Sequence, residues 1–248
     1  MTYWSIVENV VRKADVVLVV LDARMPEQTR NKELERKISR MRKKLILVFN
    51  KIDLVSKDAL NKLKKEYPGS FFISASKNID VARLRTRLFI LAGEFGREEL
   101  KVGVVGYPNV GKSAVINVLA RRAGAKVAQT AGTTRGVQWI TTSRFKILDT
   151  PGVIPYGDDE MKLGIIGSRD PEQLRSPEGL ALEIIKIFFE KNRKKIEEYA
   201  KMALPDDAYD ALLEIGKKRG YLKKGGIVDE TRTAITIIRD WQKGKLRL

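Results

Sequence analysis

Through the first 150 residues, apolar positions alternate between two patterns. Short runs with almost no polar residue are typical of parallel strands, because a parallel strand is covered on both faces. Between these runs, apolar residues recur every three or four positions, which indicates helices with one buried face. Strands that alternate with helices in this way predict an α/β fold, with a mostly parallel sheet covered by helices.

Six segments carry the strand pattern: residues 14–22, 44–50, 70–76, a run that begins at 101, 137–142 and 145–149. Only Ser143 and Arg144 separate the last two, so we expect them to form a hairpin. Five segments carry the helix pattern: residues 3–13, 26–42, 56–66, 80–92 and 112–122. Ser56 is a residue type preferred as an N-cap, and we expect it to begin the third of these helices.

After about Ser176 no strand pattern remains. We expect three helical segments there: residues 177–202 with a break near Asn192, 206–218, and 229–243. Asp229 is a preferred N-cap for the last segment, and Gly220 ends the one before it. The sequence therefore predicts an α/β domain, a linker and an all-α domain, which we place at residues 1–166, 167–176 and 177–248.

Composition narrows the class of protein. The 248 residues are 43% hydrophobic, which is enough for a globular core. With no cysteine, disulfides and thiolate metal sites are excluded, and a cytoplasmic protein is the simplest interpretation. The absence of histidine removes the commonest general base. The apolar run Val16–Leu21 is far shorter than the roughly 20 residues of a membrane-spanning helix, so we expect no contact with a membrane.

Charge adds a partner class. Lysine and arginine number 48 against 31 aspartate and glutamate, which leaves a formal net charge of +17. A solvated surface rich in lysine and glutamate would explain many charges but not this imbalance. A large positive excess favours a polyanionic partner, and nucleic acid is favoured over a membrane because no amphipathic anchor stands out.

Polar motifs follow the second and third predicted strands. The second strand ends in the NKxD pattern, Asn50-Lys51-Ile52-Asp53. The Asp53 carboxylate can accept from guanine N1–H and from the exocyclic amine together, a pair that adenine does not offer. The Asn50 amide can reach the other edge of the purine, and the alkyl stem of Lys51 can cover its face. The third strand ends in a loop whose backbone N–H is expected to meet guanine O6, Ser74-Ala75-Ser76.

Two further motifs suit phosphate and metal. The run GYPNVGKS, residues 106–113, fits the pattern of phosphate-binding loops. Its backbone and the next helix N-terminus would bind phosphate oxygens through Asn109, Val110, Gly111, Lys112, Ser113 and Ala114. Lys112 would also bridge the β- and γ-phosphates, and the Ser113 hydroxyl would ligate Mg²⁺. The hairpin ends in a DxxG pattern, in which Asp149 would hold the metal and the Gly152 N–H would contact the γ-phosphate.

All four motifs fall at the carboxyl ends of predicted strands, where doubly wound sheets bind ligands. Their order is unusual, because Ras-like GTPases begin with the phosphate loop, whereas here NKID and SAS precede GYPNVGKS and DTPG. The motifs keep the cyclic order of a Ras-like GTPase, but that order starts from a different motif. The chain thus resembles the circularly permuted GTPases of the YlqF type over nearly its whole length, including LDARMP at residues 21–26 and AGTTRGVQWI at residues 131–140.

This resemblance implies a circularly permuted Ras-like P-loop GTPase fold and a role in assembly of the large ribosomal subunit. The expected partner is the large subunit or its precursor, bound through rRNA by a monomer. The resemblance also implies that Thr134 is the switch threonine that ligates Mg²⁺ in the GTP state, with Thr133 as the alternative. Ala131 stands where the family more often has proline, which loosens the entry to that loop.

The expected rate of hydrolysis is slow. Val153 follows DTPG at the position where Ras-like enzymes carry the glutamine that orients the attacking water. We therefore expect stimulation by an ion or a partner. Asn109 matches the asparagine with which potassium-dependent GTPases hold K⁺, and the alternative is that it only stabilises the loop turn.

Other interpretations stay open at this point. The chain could be an RNA-docking module with negligible turnover, a GTPase acting on another structured RNA, or an ATPase, which NKID disfavours. Because the chain leaves the first domain just past DTPG, nucleotide state could reorient the helical domain through a hinge. For LDARMP, a purely structural interpretation is that Asp22 caps the turn and Arg24 pairs locally.

Overall fold

A computed structural model describes residues 3–121, 138–141, 145–149 and 160–248. The chain forms two compact units, Met1–Gly157 and Asp158–Leu248. Within the described ranges, no helix is long and apolar enough to cross a membrane. The predicted α/β class and the predicted all-helical C-terminal segment are both confirmed.

The first unit is built on a six-stranded sheet, ordered β3-β2-β1-β4-β6-β5. Its strands are β1 Val16–Asp22, β2 Lys44–Asn50, β3 Phe71–Phe72, β4 Leu100–Val105, β5 Gln138–Thr141 and β6 Phe145–Asp149. All neighbouring pairs are parallel except β5 and β6, which form the predicted hairpin. Every residue of β1 is buried, as expected for a central strand covered on both faces.

Helices of the first unit cover this sheet. They are α1 Tyr3–Lys13, α2 Pro26–Thr29, α3 Lys32–Arg40, α4 Lys57–Glu66, α5 Val81–Glu94 and α6 Lys112–Arg121, with a 3-10 turn at Ile52–Leu54. One apolar cluster joins α1, α3 and α4 to the sheet. Within it, the Phe49 ring stacks on Phe72 at 4.9 Å and tilts against Tyr67 at 4.8 Å. The Ser56 hydroxyl accepts the Ala59 N–H, so the predicted N-cap of α4 is confirmed.

The single helix predicted at residues 26–42 is wrong. Arg30 is extended and separates α2 from α3. The Asn31 side chain accepts the Leu34 N–H at 2.9 Å and begins a new helix. Asparagine is a preferred N-cap, and this local signal competes with helix continuation. The expected apolar stripe of α3 is present, with Leu34 and Ile38 fully buried.

Two strand boundaries also differ from the prediction. The first strand begins at Val16 because the Ala14 N–H still donates to the Val10 carbonyl of α1. The third strand keeps only two residues of the predicted seven. After Ile73 the chain turns back on itself, and Ser74 pairs with Ile79 in an isolated antiparallel bridge. Ladder pairing cannot continue through a turn of this kind.

Within the described residues 160–248, the regular elements of the second unit are all helices, and one isolated bridge joins Leu222 to Val228. Its helices are α7 Glu160–Ile165, α8 Pro177–Lys191, α9 Arg193–Ala200, α10 Ala208–Lys218 and α11 Glu230–Gln242, with a 3-10 turn at Pro171–Gln173. The predicted break at Asn192 and the predicted Asp229 cap, which accepts the Arg232 N–H, are both confirmed. In the core, the rings of Trp241 and Phe188 meet edge to face at 5.8 Å.

The boundary between the units lies nine residues before the predicted one, at residue 157 rather than 166. Helix α7 belongs to the helical unit, since the Trp241 indole donates to the Ile165 carbonyl at 2.8 Å. The side chain of Gln242 likewise donates to the Gly164 carbonyl at 3.2 Å. No local signal in the sequence marks where the tertiary contacts change partner, and for this reason the predicted boundary lies too late in the chain.

Close packing of α10 predicts a stability effect. A Cβ at Gly216 would lie 2.5 Å from Val228 Cγ1 and 2.6 Å from Thr233 Oγ1. Gly216→Ala should therefore destabilise the protein by about 1–3 kcal/mol, the usual cost of overpacking. Thermal and denaturant unfolding would measure it.

Gly93→Ala in α5 is the matched control, because a Cβ there meets nothing within 4 Å. It should be neutral or stabilise by about 0.5–1 kcal/mol. Equal stability of the two variants would contradict the packing described for α10.

Candidate functional site

Four polar segments lie at one edge of the sheet. β1, β2, β3 and β4 are parallel, so the residues that follow them emerge on the same side. The chain proceeds outward from β1 to β3 and then crosses to β4 on the other side of β1. This is a topological switch point, the place where ligands bind in open α/β sheets. NKID and SAS follow β2 and β3 there, LDARMP follows β1 and GYPNVGKS follows β4, so these four segments lie at the same edge. Residues 150–152 of DTPG lie outside the described residues.

The side chain of Asn50 ties three of the motifs together. Asn50 ends β2 and is 3% exposed. Its Nδ2 donates to the Val110 carbonyl at 3.0 Å, and its Oδ1 accepts the Ala75 N–H at 3.0 Å. From sequence, the Asn50 amide and a backbone N–H of the SAS loop are expected to contact guanine. In this structure the described bonds of Asn50 and the Ala75 N–H instead join the NKID, SAS and GYPNVGKS segments to one another.

The phosphate loop needs its glycines for space as well as for conformation. Gly106 has φ +147°, and a Cβ there would lie 2.5 Å from the Val20 carbonyl oxygen. Gly111 has φ +97°, and its Cβ would lie 2.2 Å from Asn50 Nδ2. Asn109 adopts φ 59°, in the left-handed region that asparagine tolerates better than most residues. The loop therefore closes directly over the Asn50 side chain.

Helix α6 begins inside this loop. Lys112 is 6% exposed, and its Nζ donates to the Tyr107 carbonyl at 2.7 Å, so the ammonium lies against the loop backbone. Ser113 and Ala114 are exposed in the first turn of the helix. Backbone N–H groups of a first turn have no partner within the helix, and the helix dipole favours an anion there. The arrangement suits phosphate oxygens at the α6 N-terminus.

Asp53 presents an acceptor without a donor. It lies in the 3-10 turn after β2, and its Oδ1 is buried with no hydrogen-bond partner among the described residues. A buried carboxylate oxygen left unpaired is costly. The N1–H and amino group of a guanine would supply the missing donors, so this orphaned oxygen fits a base with adjacent donors.

LDARMP forms a buried ionic cluster with Lys51. The Asp22 carboxylate accepts Arg24 Nε at 3.1 Å, Arg24 Nη2 at 2.8 Å and the Arg24 backbone N–H at 3.0 Å. The predicted local pairing of Asp22 with Arg24 is therefore confirmed. Sequence reasoning missed the third member, Lys51, whose Nζ lies 2.8 Å from Asp22 Oδ2.

The pKa values in this cluster show opposing effects. Burial alone would raise the pKa of Asp22, but Arg24 and then Lys51 outweigh it and lower that pKa to about 2. Burial lowers the pKa of Lys51, against the raising influence of Asp22. Two basic side chains, Arg24 and Lys51, thus contact one buried carboxylate at the edge of the sheet.

Several predicted site residues lie outside the described residues, namely Thr133, Thr134, Gly152 and Val153. For Asp149 the backbone is described, and it pairs with Val104 of β4. This places the end of β6 beside the strand that leads into the phosphate loop. Within the described ranges, no three acidic, histidine or cysteine side chains come together as a metal site.

Comparisons with known proteins agree with this geometry. Residues 101–206 match the family model described as 50S ribosome-binding GTPase, and residues 1–93 match that of the elongation factor Tu GTP-binding domain. A GTP-binding protein of Methanocaldococcus jannaschii is 44% identical over 98% of this chain and 65% of its own length. The nuclear GTP-binding protein NUG1 of Saccharomyces cerevisiae is 32% identical over 98% of this chain and 55% of its own. The chain thus spans between about half and two thirds of these relatives.

Solved structures show the shared fold. GNP-bound YlqF from T. maritima superposes with a TM-score of 0.60 at 23% identity, covering 97% of this chain and 93% of that one. GDP-bound YlqF gives a TM-score of 0.61 at 24% identity, covering 97% and 95%. The circularly permuted arrangement expected from the motif order is therefore confirmed at the level of the fold.

The orphaned oxygen of Asp53 yields a specificity prediction. Asp53→Asn replaces an acceptor pair by an acceptor and a donor, which suits the C2 carbonyl of xanthine and clashes with the guanine amino group. Affinity for GTP should fall by orders of magnitude, and XTP should become the preferred nucleotide. Competition of GTP and XTP for a fluorescent nucleotide would measure the change.

Asp58→Asn is the matched control, because Asp58 is exposed on α4 and its substitution is chemically identical. It should leave the preference for GTP unchanged. If Asp53→Asn preferred GTP over XTP as strongly as the wild type does, Asp53 would not contact the base.

Proposed function

The chain belongs to the family of circularly permuted GTPases of the YlqF type, and on this basis we propose that it binds GTP and hydrolyses it to GDP and phosphate. The observation that carries the proposal is the buried, partnerless Oδ1 of Asp53 at the same sheet edge as the phosphate loop. That edge offers base recognition at one end and phosphate recognition at the other. The Asn50 bonds hold the two loops together and set the distance between them.

The phosphate end would work through positioning and charge. The first-turn N–H groups of α6 would receive the phosphate oxygens, and Lys112 would exchange its bond to the Tyr107 carbonyl for the β- and γ-phosphates. This exchange leaves the buried ammonium paired in both states. The Gly152 N–H would contact the γ-phosphate.

The donor set fits a hard divalent cation. Hydroxyl and carboxylate oxygens, which Mg²⁺ prefers, come from Ser113, Thr134 and Asp149. The Ser113 hydroxyl is exposed at the start of α6, beside the expected phosphate position. When bound, Mg²⁺ would neutralise charge that develops on the phosphate oxygens.

We further propose that intrinsic hydrolysis is slow and that K⁺ and a partner accelerate it. Val153 cannot orient a water, and the chain has no histidine. Asn109 is the candidate K⁺ ligand, since its left-handed backbone lies inside the phosphate loop. A module that only holds GTP to dock on RNA would show negligible single-turnover hydrolysis with or without ribosomal subunits.

The partner that we propose is the large ribosomal subunit or its precursor, bound by a monomer through rRNA. Support comes from the description of the matched family as 50S ribosome-binding GTPase and from the net charge of +17. Another structured RNA would contact the same basic residues. The choice of rRNA therefore rests on the description of the matched family.

Part of the positive charge has structural partners. Of the eight basic residues between Arg30 and Lys44, Arg30 binds Glu35 and Lys37 lies near Glu33 and Glu8. The Lys43 ammonium donates to the Arg12 carbonyl at the end of α1 and to the Ala14 carbonyl just after it. The side chains of the other five are exposed and form no hydrogen bond or ion pair with described residues: Lys32, Arg36, Arg40, Arg42 and Lys44. These five are the cations that we assign to phosphate contacts.

The helical unit offers a smaller basic surface. Arg219 lies over the Tyr199 ring at 4.2 Å and Lys217 pairs with Glu214. Beyond them the chain forms a reverse turn closed by the Leu222–Val228 bridge, with Gly225 and Gly226 at its tip. Lys224 is exposed in this turn, where Ile227 is 66% exposed, and Lys218 is exposed at the end of α10. An exposed turn with this composition is available to a large polyanionic surface.

Potassium dependence is the first prediction for this function. In single-turnover assays, replacing K⁺ by Na⁺ at constant ionic strength should slow GTP hydrolysis severalfold or more. Asn109→Ala should abolish the difference between the salts. Asn109→Gly is the sharper variant, because glycine keeps the left-handed backbone while removing the side chain. Equal wild-type rates in both salts would return Asn109 to a purely structural role.

Salt dependence is the second prediction for this function. Binding to large ribosomal particles should weaken steeply with salt, each phosphate contact adding roughly −0.7 to −0.9 to the log–log slope. The double substitution Arg36→Glu with Arg40→Glu should make the log–log slope less steep by about 1–2. Co-sedimentation across a salt series, with a non-hydrolysable GTP analogue or with GDP, would measure it.

Lys186→Glu with Lys195→Glu is the matched control, since both lysines already pair with neighbouring glutamates and the change in net charge is the same. A shallow wild-type slope would contradict the RNA partner. Tighter binding with the GTP analogue than with GDP is expected if nucleotide state reorients the helical domain through the hinge. A steep slope with equal affinity in both nucleotide states would keep the RNA partner and contradict that hinge.

A further inference from the structure

One buried carboxylate has no role in the function proposed so far. Asp22 ends the central strand, is 2% exposed and is in contact with Arg24 and Lys51. Buried ion pairs contribute little stability on balance, because desolvation of the charges offsets their attraction. A cluster of three charges at the edge that holds the nucleotide motifs therefore calls for a further explanation.

The cluster determines where the Lys51 side chain lies. Asp22 and Asn50 are opposite each other in the parallel register, and Lys51 follows Asn50 in the left-handed conformation, φ 66°. From there its ammonium reaches the Asp22 carboxylate at the end of the neighbouring strand. The alkyl stem consequently crosses the carboxyl edge of the sheet between β2 and β1.

The carboxylate itself is held rigidly. Arg24 binds both of its oxygens through a planar fork, and the Arg24 N–H adds a third bond. The Asp22 N–H donates to the Thr29 hydroxyl, which in turn donates to the Met25 carbonyl. Residues 22–29 thus close into a turn that fixes the position of the Asp22 side chain.

We propose that Asp22, oriented by Arg24, is a positioning residue for guanine recognition: it holds the Lys51 stem in place as a preformed surface for the face of the base. This inference rests on the proposed function. A lysine has large rotamer freedom, and ordering it only when nucleotide binds would reduce affinity. The cluster orders it beforehand, so the stem needs no rearrangement when the base arrives.

The test is the dissociation rate of a fluorescent GDP analogue. Asp22→Asn should accelerate dissociation about 10- to 100-fold, the range expected for loss of one charged hydrogen bond. In a Lys51→Met background, which keeps most of the stem without the charge, Asp22→Asn should cause no further acceleration. That loss of effect separates a positioning role from general destabilisation, which would persist in both backgrounds.

Glu35→Gln is the matched control, because it breaks another forked arginine–carboxylate pair of the same unit, Arg30–Glu35, at no nucleotide motif. The GDP analogue should dissociate from this variant at the wild-type rate. If Asp22→Asn fails to fold, Arg24→Lys makes the same test, since lysine keeps the charge but not the fork.

The outcomes separate the two proposals. Lack of guanine-nucleotide binding by the wild type would overturn the proposed function and this inference with it. Tight wild-type binding with an unchanged rate in Asp22→Asn or Arg24→Lys would overturn this inference alone. Equal acceleration by Asp22→Asn in the wild-type and Lys51→Met backgrounds would do the same.

Discussion

The parallel pairing of β1 with β2 on one side and with β4 on the other is the constraint on which the site depends. All seven residues of β1 are buried, so the backbone groups of this strand rely on its neighbours for hydrogen bonds. The register that satisfies them sets Asp22 opposite Asn50 and brings the ends of β1, β2 and β4 together. The ionic cluster, the base motif and the phosphate loop therefore lie next to one another at this edge of the sheet.

Hydrogen bonds between the loops complete what the sheet begins. Asn50 reaches Ala75, 25 positions along the chain, and Val110, 60 positions along it. Both bonds join strand ends that are close in space, and neither requires that one motif precede another in sequence. A circular permutation therefore leaves this network unchanged, provided that the strands keep their order in the sheet.

Positive charge serves several purposes in this chain. Arg24 and Lys51 surround a buried carboxylate, and Lys43 binds carbonyls around the end of α1. Arg193 binds Glu197, Asp206 and the Pro205 carbonyl, and so joins α9 to the segment that leads into α10. Such residues raise the net charge without offering a surface to an anion. The cations proposed to bind RNA are those that the fold leaves exposed and without such bonds.

Local chemistry determined much of the fold from sequence alone. The uninterrupted apolar runs, the caps at Ser56 and Asp229, and the break at Asn192 were all correctly predicted, because each depends on residues a few positions apart. The gathering of the motifs also followed from sequence, since carboxyl ends of parallel strands share an edge. The split of the helix at Arg30 has a local cause, the Asn31 N-cap, which the periodicity of apolar residues does not show. Tertiary structure alone decided the short third strand and the packing of α7 in the helical unit. It also decided the partners of Asn50 and Lys51. A side chain forms hydrogen bonds with groups about 3 Å away, and the spacing of residues along the chain does not determine the distances between separate loops.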